Sequence, residues 1–315
     1  MNGLDRRRAL ALLGLIGTAG LARSYDLPGV NLGLTSFLDG VLPSGPGLYY
    51  QHYVEYYTAS RFDDIHGSRL PLPGEDLALW ADINQLTYFF HDTIGPGRLA
   101  LNIVIPDIVS ARTNDGLGGA VLGAQSGLGD ITLGAIYEFN PVMLSEHQSL
   151  HQSLEFDILA PTGRYNPGLA VNPGNNFWAL NPFYSVTFFA SERVTFSGRF
   201  YYLYSHTNDR PPLSFGSGAR TVQAGQAFHV NFDAAYAFTP RLWLGLNGYF
   251  LKQFTDTRVN REDVSGRNER VLGLGPGATY QVNKDTFLFF NAYAEMLVRN
   301  RTEGEKFLIR LVHHF

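Results

Sequence analysis

The chain has 315 residues, with 24 basic and 28 acidic residues giving a net charge of -4, and no cysteine. This balance does not favour a nucleic-acid partner, and the lack of cysteine excludes disulfides, thiolate metal sites and cysteine nucleophiles. Aromatic residues make up 14% and there are 34 glycines, a composition typical of all-β proteins. Mean hydropathy is -0.08, and the longest charge-free apolar run, residues 9–22, is shorter than the ~20 residues of a spanning helix. A helical membrane protein is therefore excluded.

Residues 1–24 have the pattern of a secretory signal peptide. Three consecutive arginines at positions 6–8 precede an apolar stretch, and small residues at Gly20 and Ala22, or at Ala22 and Ser24, suit the cleavage site. The arginines also resemble a twin-arginine signal, but a chain that inserts into the outer membrane must be exported unfolded. The pattern therefore favours the Sec route.

Residues 25–46 are interrupted by Pro28, Pro43 and Pro46. Proline removes a backbone donor, so we predict a non-strand segment in front of the fold proper. Two placements remain open for this segment. It either plugs the lumen of a barrel or rests below the barrel in the periplasm.

From residue 47 onward, apolar and other residues alternate with a period of two, which predicts half-exposed strands. In residues 228–238, one face carries Phe228, Val230 and Phe232. The other face of the same stretch carries polar residues such as Asn231. The twelve predicted strands lie near residues 47–60, 76–91, 98–112, 127–140, 150–161, 177–190, 193–206, 222–239, 241–255, 269–283, 285–299 and 305–315.

The connections between these strands alternate in length. Those after the second, fourth, sixth, eighth and tenth strands are short, whereas most of the others are long and polar. This alternation is typical of outer-membrane barrels with short periplasmic turns and long extracellular loops. Because unpaired backbone groups are costly in hydrocarbon, a spanning sheet must close. We therefore predict an antiparallel transmembrane β-barrel of about 12 strands over residues 47–315.

A soluble β-sandwich is the alternative architecture, because alternation alone also describes two sheets that face a common core. The apolar faces persist over ten or more residues, which is longer than the typical strand of a soluble protein. The chain also ends in an amphipathic stretch, residues 307–315, that closes on Phe315. A terminal aromatic on such a strand resembles the insertion signal of outer-membrane barrels, so the barrel is favoured.

The polar faces of the predicted strands assign charged and aromatic side chains to the lumen. Carboxylates and arginines there are expected mostly to pair with each other, and tyrosines between them offer a passage suited to an amphipathic or aromatic solute. The predicted lumen-lining residues are Tyr53, Glu55, Asp82, Glu155, Asp157, Arg199, Tyr201, His229, Asp233, Asn247, Tyr249, Asn291, Tyr293, Glu295, Arg299 and Arg310.

Catalytic motifs are lacking from the sequence. No nucleophile elbow, zinc-protease motif, phosphate-binding loop or dinucleotide fingerprint is present. A phospholipase-like dyad of Ser197 and His229 on neighbouring strands is the enzymatic alternative. His313 and His314 give only a weak metal signal. We predict no enzyme activity, no cofactor and no metal site.

Several segments resemble the SphA-like outer-membrane proteins of the meta-pathway phenol-degradation family. The most specific are GLGDITLG (127–134), APTGRYNPG (160–168) and GYFLKQFTD (248–256), and the likeness covers most of residues 30–300. Further matching segments are PGLYYQHYVEYYTASRF (46–62), NFWALNP (176–182) and LGLGPGATYQ (272–281). The usual leucine before Pro-Thr-Gly is Ala160 here, which leaves the turn chemistry intact.

The resemblance implies a protein of the Gram-negative outer membrane that takes up aromatic or other hydrophobic compounds and is linked to aromatic catabolism. The expected partners are outer-membrane lipid, the barrel-assembly machinery and a small hydrophobic solute, with no nucleic acid. The alternative is a structural or adhesive barrel with a closed lumen. The family supplies no established ligand residues, so the predicted site depends on face assignment alone.

Overall fold

The structure, a computed structural model, describes residues 26–118 and 122–315. The predicted signal peptide, residues 1–24, lies outside the described residues. No helix in the described part of the chain has the length and apolar character needed to cross a membrane.

Twelve long strands form one closed antiparallel barrel. Each strand pairs with the next in sequence, and the last strand pairs with the first from Tyr49–His314 to Phe62–Thr302. The barrel strands are β1 (Gly47–Phe62), β2 (Asp76–Phe89), β3 (Gly97–Asn114), β4 (Ile131–Phe139), β5 (Ser149–Ala160), β6 (Phe183–Phe189), β7 (Val194–Ser205), β8 (Ala227–Thr239), β9 (Leu242–Gln253), β10 (Arg270–Asn283), β11 (Thr286–Arg299) and β12 (Thr302–His314). The prediction of a twelve-stranded antiparallel barrel is confirmed.

Six short strands lie outside the twelve barrel strands in the described part of the chain. Three of them, Gly127–Leu128, Val142–Met143 and Ala179–Leu180, pair with barrel strands. In the extracellular loops, Val222–Gln223, Arg258–Val259 and Glu262–Asp263 form a small separate sheet, and Leu213–Phe215 forms a 3-10 turn.

Two strand starts differ from prediction because a proline or a bulge interrupts the ladder. The sixth strand begins at Phe183 rather than near residue 177, because Pro182 has no N–H and separates it from the short pair Ala179–Leu180. The fourth strand begins at Ile131, because three residues, 129–131, oppose two on β3, and the bulge keeps one hydrogen bond from the Gly129 N–H to the Pro106 carbonyl.

The lengths of the connections distinguish the periplasmic end of the barrel from the extracellular end. Turns such as 190–193, 240–241 and 284–285 are short and lie at the end where β1 starts and β12 finishes. The opposite end carries the long loops 63–75, 115–130, 161–182, 206–226 and 254–269. The short turns are periplasmic and the long loops extracellular, as predicted.

The outer surface is apolar over most of its circumference. Large apolar side chains such as Phe196, Phe232, Leu246, Phe290 and Ile309 are exposed there, while their sequence neighbours point inward and are buried. Exposed apolar side chains over a closed wall are what a barrel in hydrocarbon presents to lipid. The chain is therefore an outer-membrane β-barrel.

Candidate solute cavity in the lumen

The chain that precedes β1 lies inside the barrel and spans its length. At the extracellular end, Asp26 forms a paired hydrogen bond with Arg267, with N–O distances of 2.5 and 2.6 Å. At the periplasmic end, the Ser44 hydroxyl donates to the Lys284 carbonyl in the turn between β10 and β11. We call residues 26–46 the inner segment.

Buried charges hold the extracellular end of the inner segment. Glu269 accepts hydrogen bonds from the backbone N–H groups of Asp26 and Leu27, and the carboxylate lies 2.6 Å from the Arg301 guanidinium. Asp26, Arg267, Glu269 and Arg301 are all less than a tenth exposed. Buried ions are tolerated only when paired, so removing one partner would leave a costly unpaired charge.

The middle of the inner segment is bound by polar side chains of β8, β11 and β12. Asn231 accepts from the Gly33 N–H at 3.0 Å, and the Tyr293 hydroxyl donates to the Gly33 carbonyl at 2.8 Å. Lys306 and Arg310 donate to the carbonyls of Leu32 and Ser36 at 2.8 and 3.0 Å. The barrel wall thus satisfies backbone groups that have no secondary structure of their own.

Phe37 anchors the inner segment by packing. It is 1% exposed, and a Cβ at Gly245 or Gly277 would lie 2.9 or 2.6 Å from its ring. These inward-facing glycines of β9 and β10 therefore leave the space that the ring fills. Phe37 and Leu38 have φ of 44° and 60°, a left-handed conformation that is unfavourable for residues other than glycine. The N–H groups of Phe37 and Leu38 donate to Asp233 and Ser197, and these hydrogen bonds offset the cost of the left-handed backbone.

The inner segment occupies one half of the lumen and leaves a cavity in the other. The polar contacts of the inner segment are made mainly by β6 to β12. A cavity of about 370 Å³ lies between the segment and β1 to β5, and Phe183, Arg199 and Tyr201 of β6 and β7 line its edge. Its walls carry Leu77, Leu79, Ala81, Ile83, Val104, Ile108 and Leu159. The extracellular loops cover it with residues such as Leu122, Asn172 and Phe177.

A chain of hydrogen bonds forms the floor of this cavity. The Tyr53 hydroxyl donates to Gln85 at 2.6 Å, Gln85 donates to Asn102 at 3.0 Å, and Asn102 donates to Glu155 at 2.8 Å. Asp157 lies beside Glu155, and both side chains are less than a tenth exposed. The cavity therefore has apolar walls and a polar, carboxylate-bearing floor.

A buried aspartate fixes the loops above the cavity. Asp130 accepts hydrogen bonds from the N–H groups of Gly163 and Asn175 and from the Asn175 amide. Burial raises the pKa of the Asp130 carboxyl, and these donors offset part of the rise. The carboxylate thus ties the loops after β3 and β5 together.

Most of the predicted lumen residues point inward in the structure. Six line the cavity: Tyr53, Glu55, Glu155, Asp157, Arg199 and Tyr201. The remaining inward residues lie in the other half of the lumen: His229, Asp233, Asn247, Tyr249, Asn291, Tyr293, Glu295 and Arg310. In that half the Asn247 amide bonds the Tyr293 hydroxyl at 2.6 Å, and Glu295 accepts from Tyr249 and Tyr57. Phe315 is 70% exposed at the periplasmic end.

Two of the predicted lumen residues lie elsewhere. The prediction was wrong for Asp82, which faces outward between the inward-facing Ala81 and Ile83 and contacts His52 at 2.8 Å. It was also wrong for Arg299, which donates to the Gly266 carbonyl at the extracellular rim. Leu297, with φ of 56°, is an extra residue in β11 that reverses the alternation and turns Val298 inward.

The suspected catalytic dyad does not form. Ser197 bonds Thr187 and accepts from the Leu38 N–H, while His229 bonds Asn181 at 3.1 Å and stacks on Tyr201. Within residues 26–118 and 122–315, there is no cluster of three side chains suited to a metal ion.

The cavity floor was only partly visible in the sequence. Gln85 joins Tyr53 to Asn102 in the hydrogen-bond chain, and the sequence prediction of the lumen missed it. The inward position of Gln85 follows from the period of two. Nothing in the sequence indicates that the inner segment leaves this half of the lumen free.

Comparison with known proteins identifies the family. The family model described as "Putative MetA-pathway of phenol degradation" matches residues 59–311. No curated protein matches the chain. The COG4313 outer membrane channel from Pseudomonas putida F1 is similar in structure, with a TM-score of 0.77 at 15% identity over 89% of this chain and 100% of that one. At a TM-score of 0.47 and 10% identity, the translocator domain of the autotransporter NalP from Neisseria meningitidis matches 88% of this chain and 91% of its own.

The CymD monoaromatic hydrocarbon channel gives a TM-score of 0.43 at 8% identity, over 86% of this chain and 89% of its own. The fold is shared with the first of these structures, a solved outer-membrane channel. Because the family model spans most of the barrel, the chain belongs to the phenol-degradation family of outer-membrane proteins that its sequence resembles.

Proposed function

We propose that the protein is an outer-membrane channel that takes up small aromatic or other hydrophobic molecules, and that the lumen cavity is its solute site. The observation that carries this proposal is the cavity itself. Its volume of about 370 Å³ lies in the range of small-molecule sites, and its apolar walls end on a floor of hydrogen-bonding groups.

The cavity lining favours one chemistry of solute. An apolar ring gains free energy by leaving water for walls such as Leu79 and Ile83, at roughly 25 cal/mol per Å² of buried apolar surface. A hydroxyl on that ring can bond the floor at Asn102 or Glu155. The lining carries charges of both signs, with Arg199 beside the carboxylates of Glu155 and Asp157, so no net charge selects an ion and a neutral ring compound is the expected cargo.

Filling the cavity provides the direct test. The variant Leu79→Trp places a large ring in the cavity, whereas the matched control Leu86→Trp adds the same ring to the outer face of the same strand. We expect the first variant to lower uptake of phenol by intact cells, with the second near the unmodified barrel. Equal uptake by both variants, at unchanged folded yield, would exclude the cavity as the route.

Conductance in planar bilayers tests whether the inner segment restricts the lumen. Because the segment fills the half of the lumen beside β6 to β12, the intact chain should conduct little and a chain lacking residues 26–46 should conduct more. The alternative is a structural or adhesive barrel with a closed lumen. Phenol uptake no higher with the barrel than without it would favour that alternative.

A further inference from the structure

Three basic side chains form a row on the outer wall at the extracellular end of the barrel. Lys252 lies near the end of β9, opposite Arg270 at the start of β10, and Arg270 lies opposite Arg299 at the end of β11. Gln253 and Val271, which follow the first two in sequence, are buried inside the barrel. The period of two therefore turns Lys252 and Arg270 outward, and Arg299 faces the same side because it is directly opposite Arg270. We call these three cations the basic row.

No carboxylate neutralises the basic row directly. In the described part of the chain, none of the three cations forms a salt bridge. The charge of Asp256 attracts Lys252, but the Asp256 carboxylate already accepts hydrogen bonds from the Asn268 amide and the Gly266 N–H, at 2.8 and 3.0 Å. The row therefore presents an excess of positive charge to the membrane surface.

This arrangement of like charges does not stabilise the wall. Residues directly opposite each other on antiparallel strands have Cβ atoms only about 4.5–5.5 Å apart, so two successive pairs of cations repel each other. Elsewhere at the extracellular end the charges are balanced, since Arg61 lies opposite Glu303 and contacts Asp63 at 2.7 Å. The basic row therefore needs an explanation other than the stability of the barrel alone.

A strained bulge supplies the third cation of the row. Leu297 and Val298 of β11 together oppose Val271 of β10, and Leu297 has φ of 56°, which is unfavourable for a residue other than glycine. Without this extra residue, the alternation along β11 would turn Arg299 into the lumen. Bulges often redirect a side chain, and here the result is a third positive charge on the outer wall.

The two arginines of the basic row keep donors available to a ligand. The Arg270 Nε donates to the Leu297 carbonyl at 2.8 Å, and one terminal nitrogen of Arg299 donates to the Gly266 carbonyl at 3.0 Å. Other terminal N–H groups of both side chains have no hydrogen-bond partner among the described residues. Guanidinium groups bind phosphate oxygens through paired hydrogen bonds, so the row is suited to phosphate.

The wall on the membrane side of the basic row is apolar. The next outward row towards the membrane centre consists of Phe250, Leu272 and Met296, which are paired in the same order on β9 to β11. Further along, Leu274 and Leu246 are 38% and 70% exposed. Cations above an apolar wall match a lipid, because a phosphorylated headgroup lies at the membrane surface and the acyl chains lie in the hydrocarbon.

We propose that the basic row binds the phosphate groups of a lipid in the outer leaflet, and that the apolar wall beside it holds the acyl chains of that lipid. The ligand is a phosphorylated glycolipid of the lipid A type, the lipid that forms the outer leaflet of Gram-negative outer membranes. This inference concerns the membrane face of the barrel and does not depend on the proposed uptake of solutes.

Thermal unfolding of the purified full-length barrel in non-ionic detergent tests the site. Arg270→Gln removes the central cation of the row, whereas the matched control Arg112→Gln removes an exposed, outward cation at the same end of the barrel, opposite Ala78. Without lipid, Arg270→Gln should melt at or above the Tm of the unmodified barrel, because it relieves repulsion on both sides. Diphosphoryl lipid A should raise the Tm of the unmodified barrel and of Arg112→Gln, and that of Arg270→Gln much less.

The affinity for diphosphoryl lipid A gives the magnitude of the effect. We expect Arg270→Gln to raise the Kd in a native mass spectrometry titration about tenfold or more, since it removes charge-assisted hydrogen bonds to a phosphate. Arg112→Gln should leave the Kd unchanged. Inorganic phosphate at millimolar concentration, used in place of lipid A, distinguishes a lipid site from a site for free phosphate.

Four results would overturn the inference. An equal Kd for lipid A in all three proteins would exclude the basic row as the site. Equal weakening by Arg270→Gln and Arg112→Gln would mean that the lipid responds only to net charge. Inorganic phosphate that raises the Tm as much as lipid A does would make the row a site for free phosphate. A lower Tm of Arg270→Gln in lipid-free detergent would show that the row stabilises the barrel by itself.

Discussion

Phe37→Ala should release the inner segment from the lumen wall. The ring is 1% exposed and fills the space left by Gly245 and Gly277, and truncating a buried phenylalanine costs about 3–5 kcal/mol. Phe37 belongs to no strand of the barrel, so the lost free energy is that of docking the inner segment against the wall. At a factor of ten per 1.4 kcal/mol, the undocked population should rise at least about 100-fold.

A thiol reports undocking directly. Ser36→Cys replaces a side chain that is 3% exposed, so maleimide can reach it only when the segment leaves its place. Labelling should be slow in the otherwise unmodified barrel and at least about 100-fold faster with Phe37→Ala. Phe307→Ala, which truncates a ring on the lipid face, is the matched control. Equal labelling rates in all three proteins would refute the idea that Phe37 holds the segment.

Other positions test the wall and its orientation. Phe232→Arg puts a charge on the lipid face and should destabilise the barrel by about 2–4 kcal/mol in urea unfolding, whereas Phe232→Leu should have little effect. Arg261→Cys, exposed in a long loop, should react with a thiol reagent added outside intact cells, and Arg241→Cys, in a short turn, should not. The reverse pattern would show that the barrel has the opposite orientation in the membrane. Removing Phe315 should lower the yield of folded, heat-modifiable barrel while the signal peptide is still cleaved. An unchanged yield of folded barrel would show that the terminal aromatic is not an insertion signal.

Strand number and barrel closure could be predicted from the sequence because they depend on local patterns. The period of two and the alternation of short and long connections are both properties of neighbouring residues. The face assignment failed at Arg299 because one extra residue at Leu297 reverses the faces of the two residues that follow it in β11, and no sequence pattern indicates this bulge. Asp82 was placed in the lumen because polar residues were assigned inward, whereas here the polar residue faces lipid.

The inner segment could not be placed from the sequence because its contacts are long-range. The alternation places Asn231 on the polar face of its strand, and an open polar lumen would tolerate arginine there. In the structure Asn231 is 1% exposed and bonds Gly33, so an arginine there would displace the segment. Pairs such as Phe37 with Gly277, or Asp26 with Arg267, join residues more than 200 positions apart, and only the folded barrel brings them together.

The position of the inner segment imposes an order on assembly. The segment continues directly into β1 at Gly47, and β1 pairs with β12, the last strand to leave the ribosome. A segment that spans the lumen cannot be threaded into a finished ring without moving one end through the mouth. The simplest sequence of events is that β6 to β12 first gather around residues 26–46 and the joint between β1 and β12 closes last. The segment then acts as a template for the curvature of the sheet, and variants that weaken its contacts should slow insertion before they alter transport.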